Sequence, residues 1–167
     1  MTSGVKDDAV RDAAGLLAAT WHLAIPVDPV SIAKIVGLKV LLTSEIDEDT
    51  MGALVKRPHE DPTILINEKD NENRQRFTCA HELGHFVRRS DEPEEYVTID
   101  LRSSLSTTGS DPEEIYANEF AACLLMPSES IRIYRETGLN DLEMAIRFKV
   151  SREAMRHRLK NLGLAVS

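Results

Sequence analysis

The sequence predicts an α+β domain, and three observations support that class. Strand patterns are confined to a short span, "LKVLL", "MGALVKR" and "TILIN", between residues 38 and 67. Helix signals bracket that span on both sides, with capping residues at their starts and glycine or proline at their ends. The chain has 167 residues, 42% of them hydrophobic, which is enough for one domain with a real core. A small antiparallel sheet packed on helices is the expected arrangement.

Each element has its own justification. Residues 5 to 23 read as a helix with Val10, Ala13, Ala14, Leu17 and Trp21 on one face. In "DPVSIAKIVG", Asp28 is the N-cap, Pro29 the first helical position and Gly37 the stop. "LKVLL" is a strand. "MGALVKR" and "TILIN" are two more, joined by the turn-rich "PHEDP" into an expected antiparallel hairpin. The next helix opens near Asn71 or Asn73 and runs to about Arg89. Phe77, Ala80, Gly84 and Val87 share its core face, and Thr78, His81 and His85 share an adjacent one. From Asp91 to Ser110 the pattern is loose, with "YVTIDL" a short strand inside an insertion or lid. In "DPEEIYANEFAACLLMP", Asp111 is the N-cap, Pro112 the first position, Glu114 a capping-box residue and Pro127 the end. "LEMAIRFKVSREAMRHRLKNLGL" reads as two helices that break near Lys149, with Ser151 capping the second and Gly163 stopping it. That pair resembles a helix-turn-helix. The chain so divides into a main domain over 1–138 and a short helical C-terminal subdomain over 139–167 packed on it.

Composition narrows the function classes. Net charge is −8, which argues against a surface given over to nucleic acid. The charge is uneven: from Leu139 onward six Lys/Arg face three Asp/Glu, or +3, leaving −11 for the rest. No apolar run approaches the roughly 18 residues of a membrane helix. The polar, acidic start "MTSGVKDDAVRDAA" does not read as a signal peptide. Cys79 and Cys123 lack CxxC spacing, so two reduced cysteines in a cytoplasmic protein are expected.

One motif carries chemistry. In "RFTCAHELGHFV", His81 and His85 stand four apart. On a helix that separation is about 40° around the axis and roughly one turn along it, so both imidazoles can converge on one ion. Tetrahedral zinc suits such a pair. Glu82 is turned about 100° from His81, so it misses the metal and reaches a water instead, where a carboxylate serves as general base. Gly84 lets another segment approach closely, and a preceding hairpin offers a sheet edge for an extended peptide. A catalytic zinc needs a third protein ligand and an open position. "FVRRSDEP" after His85 supplies no third histidine, and His22, His59 and His157 are scattered. Carboxylates in the 111–127 helix are better candidates: Glu113, Glu114 or Glu119. Ala117 and Ala121 give that helix a smooth face for close packing. Tyr96 and Tyr116 are candidates for stabilising an oxyanion.

The combination "GALVKR…ILIN…RQRFTCAHELGHFV", then "EIYANEFAACLLMP", then "FKVSREAMRHRLKNLGL", resembles the ImmA/IrrE family of bacterial and phage metallopeptidases. "PVDPVSIAKIVGLKV" resembles their N-terminal segment, so the likeness spans roughly residues 25 to 164, with 88–110 matching poorly. It implies a zincin-like fold and a gluzincin-like zinc site with His81, His85 and a glutamate as ligands and Glu82 as base. It also implies a zinc endopeptidase that cleaves or antagonises a regulatory partner, a helix-turn-helix repressor or antitoxin. Helical angles favour Glu114 as the third ligand. Glu119 lies about 140° away from it, Glu113 groups with Ala117, Phe120 and Leu124, and Asn118 follows Glu114 by one turn, where its amide can orient a ligand. The family's ligand glutamate likewise stands four residues before the Asn of "ANEFAA". Two rivals exist: a metal-stabilised binder that sequesters a repressor uncut, and a DNA-binding regulator using 141–162 through Arg152, Arg156, Arg158 and Lys160. Direct nucleic-acid binding is not expected.

Overall fold

The computed structural model describes residues 2–90, 95–101 and 111–165. Among them are seven helices and four strands in the order α1 (Thr2–Thr20), α2 (Pro29–Ile35), β1 (Lys39–Thr43), β2 (Thr50–Lys56), β3 (Thr63–Asn67), α3 (Glu72–Arg88), β4 (Tyr96–Leu101), α4 (Pro112–Leu125), α5 (Ser128–Glu136), α6 (Asp141–Phe148) and α7 (Arg152–Asn161). The class is α+β, as the pattern predicts.

Local chemistry sets the helix ends. Asp28 caps α2 by accepting from the Val30 amide at 3.0 Å, with Pro29 in the first turn and Gly37 beyond the end at φ +91°. Asn71 caps α3 through the Arg74 amide at 3.0 Å. Asp111 caps α4 through the Glu113 amide at 2.9 Å. Ser151 caps α7, and Lys149 takes a left-handed conformation to end α6. Each cap satisfies amides that the first helical turn leaves unpaired.

The sheet is mixed, with strand order β1-β3-β2-β4. The β2–β3 hairpin is antiparallel as expected, pairing Gly52 with Ile66 and Leu54 with Ile64. β3 then inserts between β2 and β1, so β1 and β3 run parallel, Val40 beside Ile64. Strand direction alternates from β1 through β2 to β3, and β4 runs the same way as β3. Insertion changes the neighbours, and local alternation of side chains carries no information about neighbours. β4 pairs antiparallel with β2 on its other side. β2 therefore has no free edge: the edges of the sheet are β1 and β4.

One apolar cluster fills the interior, from Ala9 and Ala13 on α1 through Ile64 and Ile66 on β3 to Phe148 on α6 and Leu159 on α7. α1 meets that core through Ala9 and Ala13, both fully buried. Of the expected Val10, Ala13, Ala14, Leu17 and Trp21 face, Ala13 is in the core and Leu17 and Trp21 pack half-buried against it, while Val10 and Ala14 are exposed and line a surface cavity of about 600 Å³. The small Ala9 and Ala13 let α1 lie close, which is why they win the core position over Val10.

Candidate metal site

α3 carries the site, and its packing explains the sequence around it. The helix is buried from Thr78 through His85. Gly84 is the point of closest approach to α4: a Cβ there would stand 3.1 Å from Phe120 Cδ1 and 3.2 Å from the Ala117 Cα. Gly52 plays the same role toward β2. A Cβ there would collide with the Thr78 methyl and stand 2.9 Å from the Leu65 carbonyl oxygen and 3.5 Å from Glu82 Oε1. Two absent side chains thus press α3 against α4 on one side and the sheet on the other.

That packing brings His81, His85 and Glu114 together. The two Nε2 atoms face each other at 3.0 Å. Glu114 places one carboxylate oxygen 3.5 Å from His81 Nε2 and the other 3.3 Å from His85 Nε2. With one donor atom taken from each residue, all three lie within 4.8 Å of one another. Two nitrogens held about 2.0–2.1 Å from one tetrahedral ion stand roughly 3.3 Å apart, so the observed separations have the scale of one coordination shell. Both histidines are buried while Glu114 keeps some exposure, which leaves an approach from solvent. The donor set of two imidazoles and a carboxylate fits a divalent metal such as zinc.

The carboxylates of α4 separate clearly. Glu114 turns both oxygens toward the imidazoles and so does not reach back to Asp111 as a capping-box residue. Glu113 faces Arg88 and Arg89, at 3.7 and 3.8 Å. Glu119 faces Arg158 at 3.6 Å and Lys6 at 3.7 Å. Among the described residues, no other group of His, Cys, Asp and Glu could hold an ion. His22 and His157 line separate cavities, and His59 sits in the hairpin turn at φ +64°.

Asn118 orients a different residue from the one its spacing suggests. Its Oδ1 accepts from His81 Nδ1 at 3.0 Å. An amide oxygen only accepts, so Nδ1 carries the hydrogen and Nε2 presents its lone pair toward His85 and Glu114. The buried Nδ1 of His85 has no hydrogen-bond partner among the described residues, so that side of its ring is held by packing.

Glu82 is fully buried. Sequence reasoning missed its partner: the Thr98 hydroxyl on β4 donates to Glu82 Oε2 at 3.0 Å. The "YVTIDL" alternation was the available signal, since it places Tyr96 and Thr98 on the face opposite the exposed Val97 and Ile99. The expected lid around this strand falls largely on 91–94 and 102–110, outside the described residues. Of the two tyrosines, Tyr116 donates its hydroxyl to Asp12 Oδ2 at 2.8 Å and lies under the Arg88 guanidinium. Burial first, then the Asp12 carboxylate, raises its pKa. It ties α1 to α4. Tyr96 has its ring flanked by Lys56 and Arg89. Cys79 and Cys123 are free and buried, and burial pushes their thiols up to about 12 and about 11.

Comparison with known proteins agrees with this architecture. The model of the IrrE N-terminal-like domain, peptidase M78, matches residues 34–160. Among solved structures, the chain is similar to a Mycobacterium tuberculosis transcriptional regulator at 18% identity and a TM-score of 0.64. That likeness covers 96% of this chain and 52% of the regulator, so the chain spans about half the regulator's length. At such identity it shows the fold alone. No curated protein matches the chain. Matched by one family model over more than half of its length, the chain belongs to the IrrE N-terminal-like domain family of zincin-like peptidases.

Proposed function

We propose that the protein is a zinc-dependent endopeptidase of gluzincin type, with His81, His85 and Glu114 as metal ligands and Glu82 as general base. The observation that carries this is the meeting of Glu114 with the two Nε2 atoms at 3.3 and 3.5 Å. A bound zinc ion would supply Lewis-acid polarisation of a scissile carbonyl and of water. The chain supplies the rest. Asn118 holds His81 in the tautomer that offers Nε2. Glu82 takes a proton from the attacking water and returns it to the leaving amine. Thr98 holds one oxygen of that carboxylate, so the pair of oxygens keeps one orientation.

The substrate we propose is a regulatory protein, a helix-turn-helix repressor or antitoxin, met in the cytoplasm. The family supports a protein substrate. The two buried free thiols suit a reducing compartment, and no described helix is long and apolar enough to cross a membrane. Residues 139–167 we read as a helical subdomain packed on the peptidase domain over 1–138. Its cations favour that structural role over DNA contact. Arg152 and Arg156 pair with Asp141, and Arg158 is buried, donating to the Met126 carbonyl. Sequestration of the repressor without cleavage is the competing reading.

The test is co-incubation of the zinc-loaded protein with a purified helix-turn-helix repressor encoded beside it, with fragments mapped by mass spectrometry. Wild type is expected to cut. Glu82→Gln is expected to keep zinc and fold and lose cleavage, because it removes only the proton acceptor. Binding without cutting by wild type decides for sequestration. Undiminished cutting by Glu82→Gln removes Glu82 from the reaction.

A further inference from the structure

The cavity of about 600 Å³ along α1 lies apart from the candidate metal site: none of His81, Glu82, His85 and Glu114 lines it. One wall is apolar. Leu17, Trp21 and Ile25 are half-buried there, and Val10 stands 44% exposed at its edge. The Trp21 indole N–H donates to the Ala24 carbonyl oxygen at 2.7 Å, so its polar edge is satisfied and the ring is left for apolar contact. The other wall is the passage from α4 into α5, residues 127–130, together with Cys123 and Arg158.

That second wall suits an anion. α5 begins at Ser128 behind Pro127, which offers no side-chain cap, so the first-turn amides of Ser128, Glu129 and Ser130 take no partner from a capping residue. Such amides and the helix dipole favour negative charge. Ser130 is only 6% exposed and lines the cavity, and its hydroxyl has no hydrogen-bond partner among the described residues. A buried hydroxyl calls for one. Arg158, also 6% exposed, reaches the same cavity from α7. It donates to the Met126 carbonyl oxygen and lies 3.6 Å from Glu119, a carboxylate shared with Lys6 at 3.7 Å. Two cations thus face one carboxylate, which leaves positive charge at this end and guanidinium donors to spare. Glu129 opposes an anion, but it is exposed, where solvent screens its charge. We propose that the cavity binds a small apolar monocarboxylic acid. Its carboxylate sits at the start of α5 and accepts from Ser130, the first-turn amides and Arg158, while its hydrocarbon body lies along Leu17 and Trp21. The volume falls within the range of small-molecule sites, about 300–1,000 Å³. The proposal stands independently of the peptidase reading.

The test titrates the full chain with three probes that share one tail and differ in the head: octanoate, 1-octanol and octylamine. Trp21 is the chain's single tryptophan, so its fluorescence reports this cavity directly, and calorimetry gives affinity and stoichiometry. Octanoate is expected to bind once per chain, to shift Trp21 emission, and to bind about tenfold or more tightly than octanol, because its contacts are charge-assisted. Octylamine is expected to bind most weakly. Ala18→Phe, at an exposed position of α1 that lines the cavity, should weaken octanoate and octanol alike. Ser130→Ala should weaken octanoate about threefold or more and leave octanol unchanged. Circular dichroism checks that both variants fold. Octanol or octylamine binding as tightly as octanoate overturns the anion end, and so does an octanoate affinity unmoved by Ser130→Ala. Octanoate binding that survives Ala18→Phe, or that leaves Trp21 emission unchanged, puts the acid elsewhere and overturns the site. Failure of octanoate to bind wild type overturns it outright, with the metal-site reading untouched.

Discussion

At the scale of single residues, the site depends on atoms whose neighbours leave them little choice. Glu114 has both oxygens committed to imidazoles, whereas Glu113 is committed to arginines. Glu114→Ala should therefore lower zinc affinity sharply with the fold retained, while Glu113→Ala should leave zinc in place. Calorimetric zinc titration of the two variants separates them, and the opposite ranking would move the ligand by one residue. Thr98 offers a second check. Its hydroxyl is the donor to Glu82 Oε2, and a hydrogen bond to a charged group contributes about 1.5–3 kcal/mol. Thr98→Val keeps the shape and removes the donor, so kcat should fall about tenfold or more with zinc content and KM held. Thr98→Ser should restore it. A Thr98→Val enzyme with wild-type kcat would make the contact incidental.

At the scale of elements, the distance between α3 and α4 sets the distance between the histidines and Glu114. Gly84→Ala would put a methyl 3.2 Å from the Ala117 Cα, which is backbone and cannot swing aside. Overpacking of this kind costs about 1–3 kcal/mol. The variant should unfold at lower denaturant concentration and also bind zinc more weakly, because spreading the helices separates the ligands. Normal zinc affinity in a destabilised Gly84→Ala would show that the two effects are uncoupled. The α6–α7 pair is held differently. Asp141 is buried at the start of α6, and Arg152 grips it with two bonds of 2.9 and 3.1 Å while Arg156 adds a third contact at 3.1 Å. The Arg152 hydrogen bonds hold the Asp141 carboxyl below its ordinary value against the opposing effect of burial. A depressed folded value means the contribution is complete above the unfolded value of about 3.9 and is lost as pH falls through the lower folded value. Asp141→Asn should thus be less stable than wild type at pH 7, and the gap should narrow below about pH 4. Denaturant titrations at both pH values measure it; a gap unchanged by acid would remove the ion pair as its cause.

At the scale of the molecule, one core spans all the layers, and the candidate ligands come from two helices that this core presses together. A metal that joins α3 to α4 binds the folded chain and not the unfolded one. Free zinc at about 100 times its dissociation constant should add about 2.7 kcal/mol of stability. Thermal melts with zinc and with a chelator should differ accordingly, and His81→Ala should melt alike in both. A wild type indifferent to zinc would remove the metal from the fold and from the proposed reaction together.

The sequence by itself determined what neighbouring residues decide. The i, i+4 spacing of His81 and His85 put two imidazoles on one face because a helix has only one way to space them. Asp28, Asp111 and Ser151 announced their helix starts because capping is satisfied within three residues, and the structure chose Asn71 over Asn73 for α3. Gly84 and the Ala117–Ala121 face announced a close helix pair, since small side chains are what close approach requires. The family pattern carried the site further than spacing alone. The tertiary structure decided the partners: β3 between β1 and β2, Thr98 on Glu82, Asn118 on His81 in place of Glu114, and Val10 turned from the core to a groove. Each of these is a choice among segments far apart in the chain. Such choices are made by how the whole core buries its surface, and the local periodicity of a segment holds no record of them.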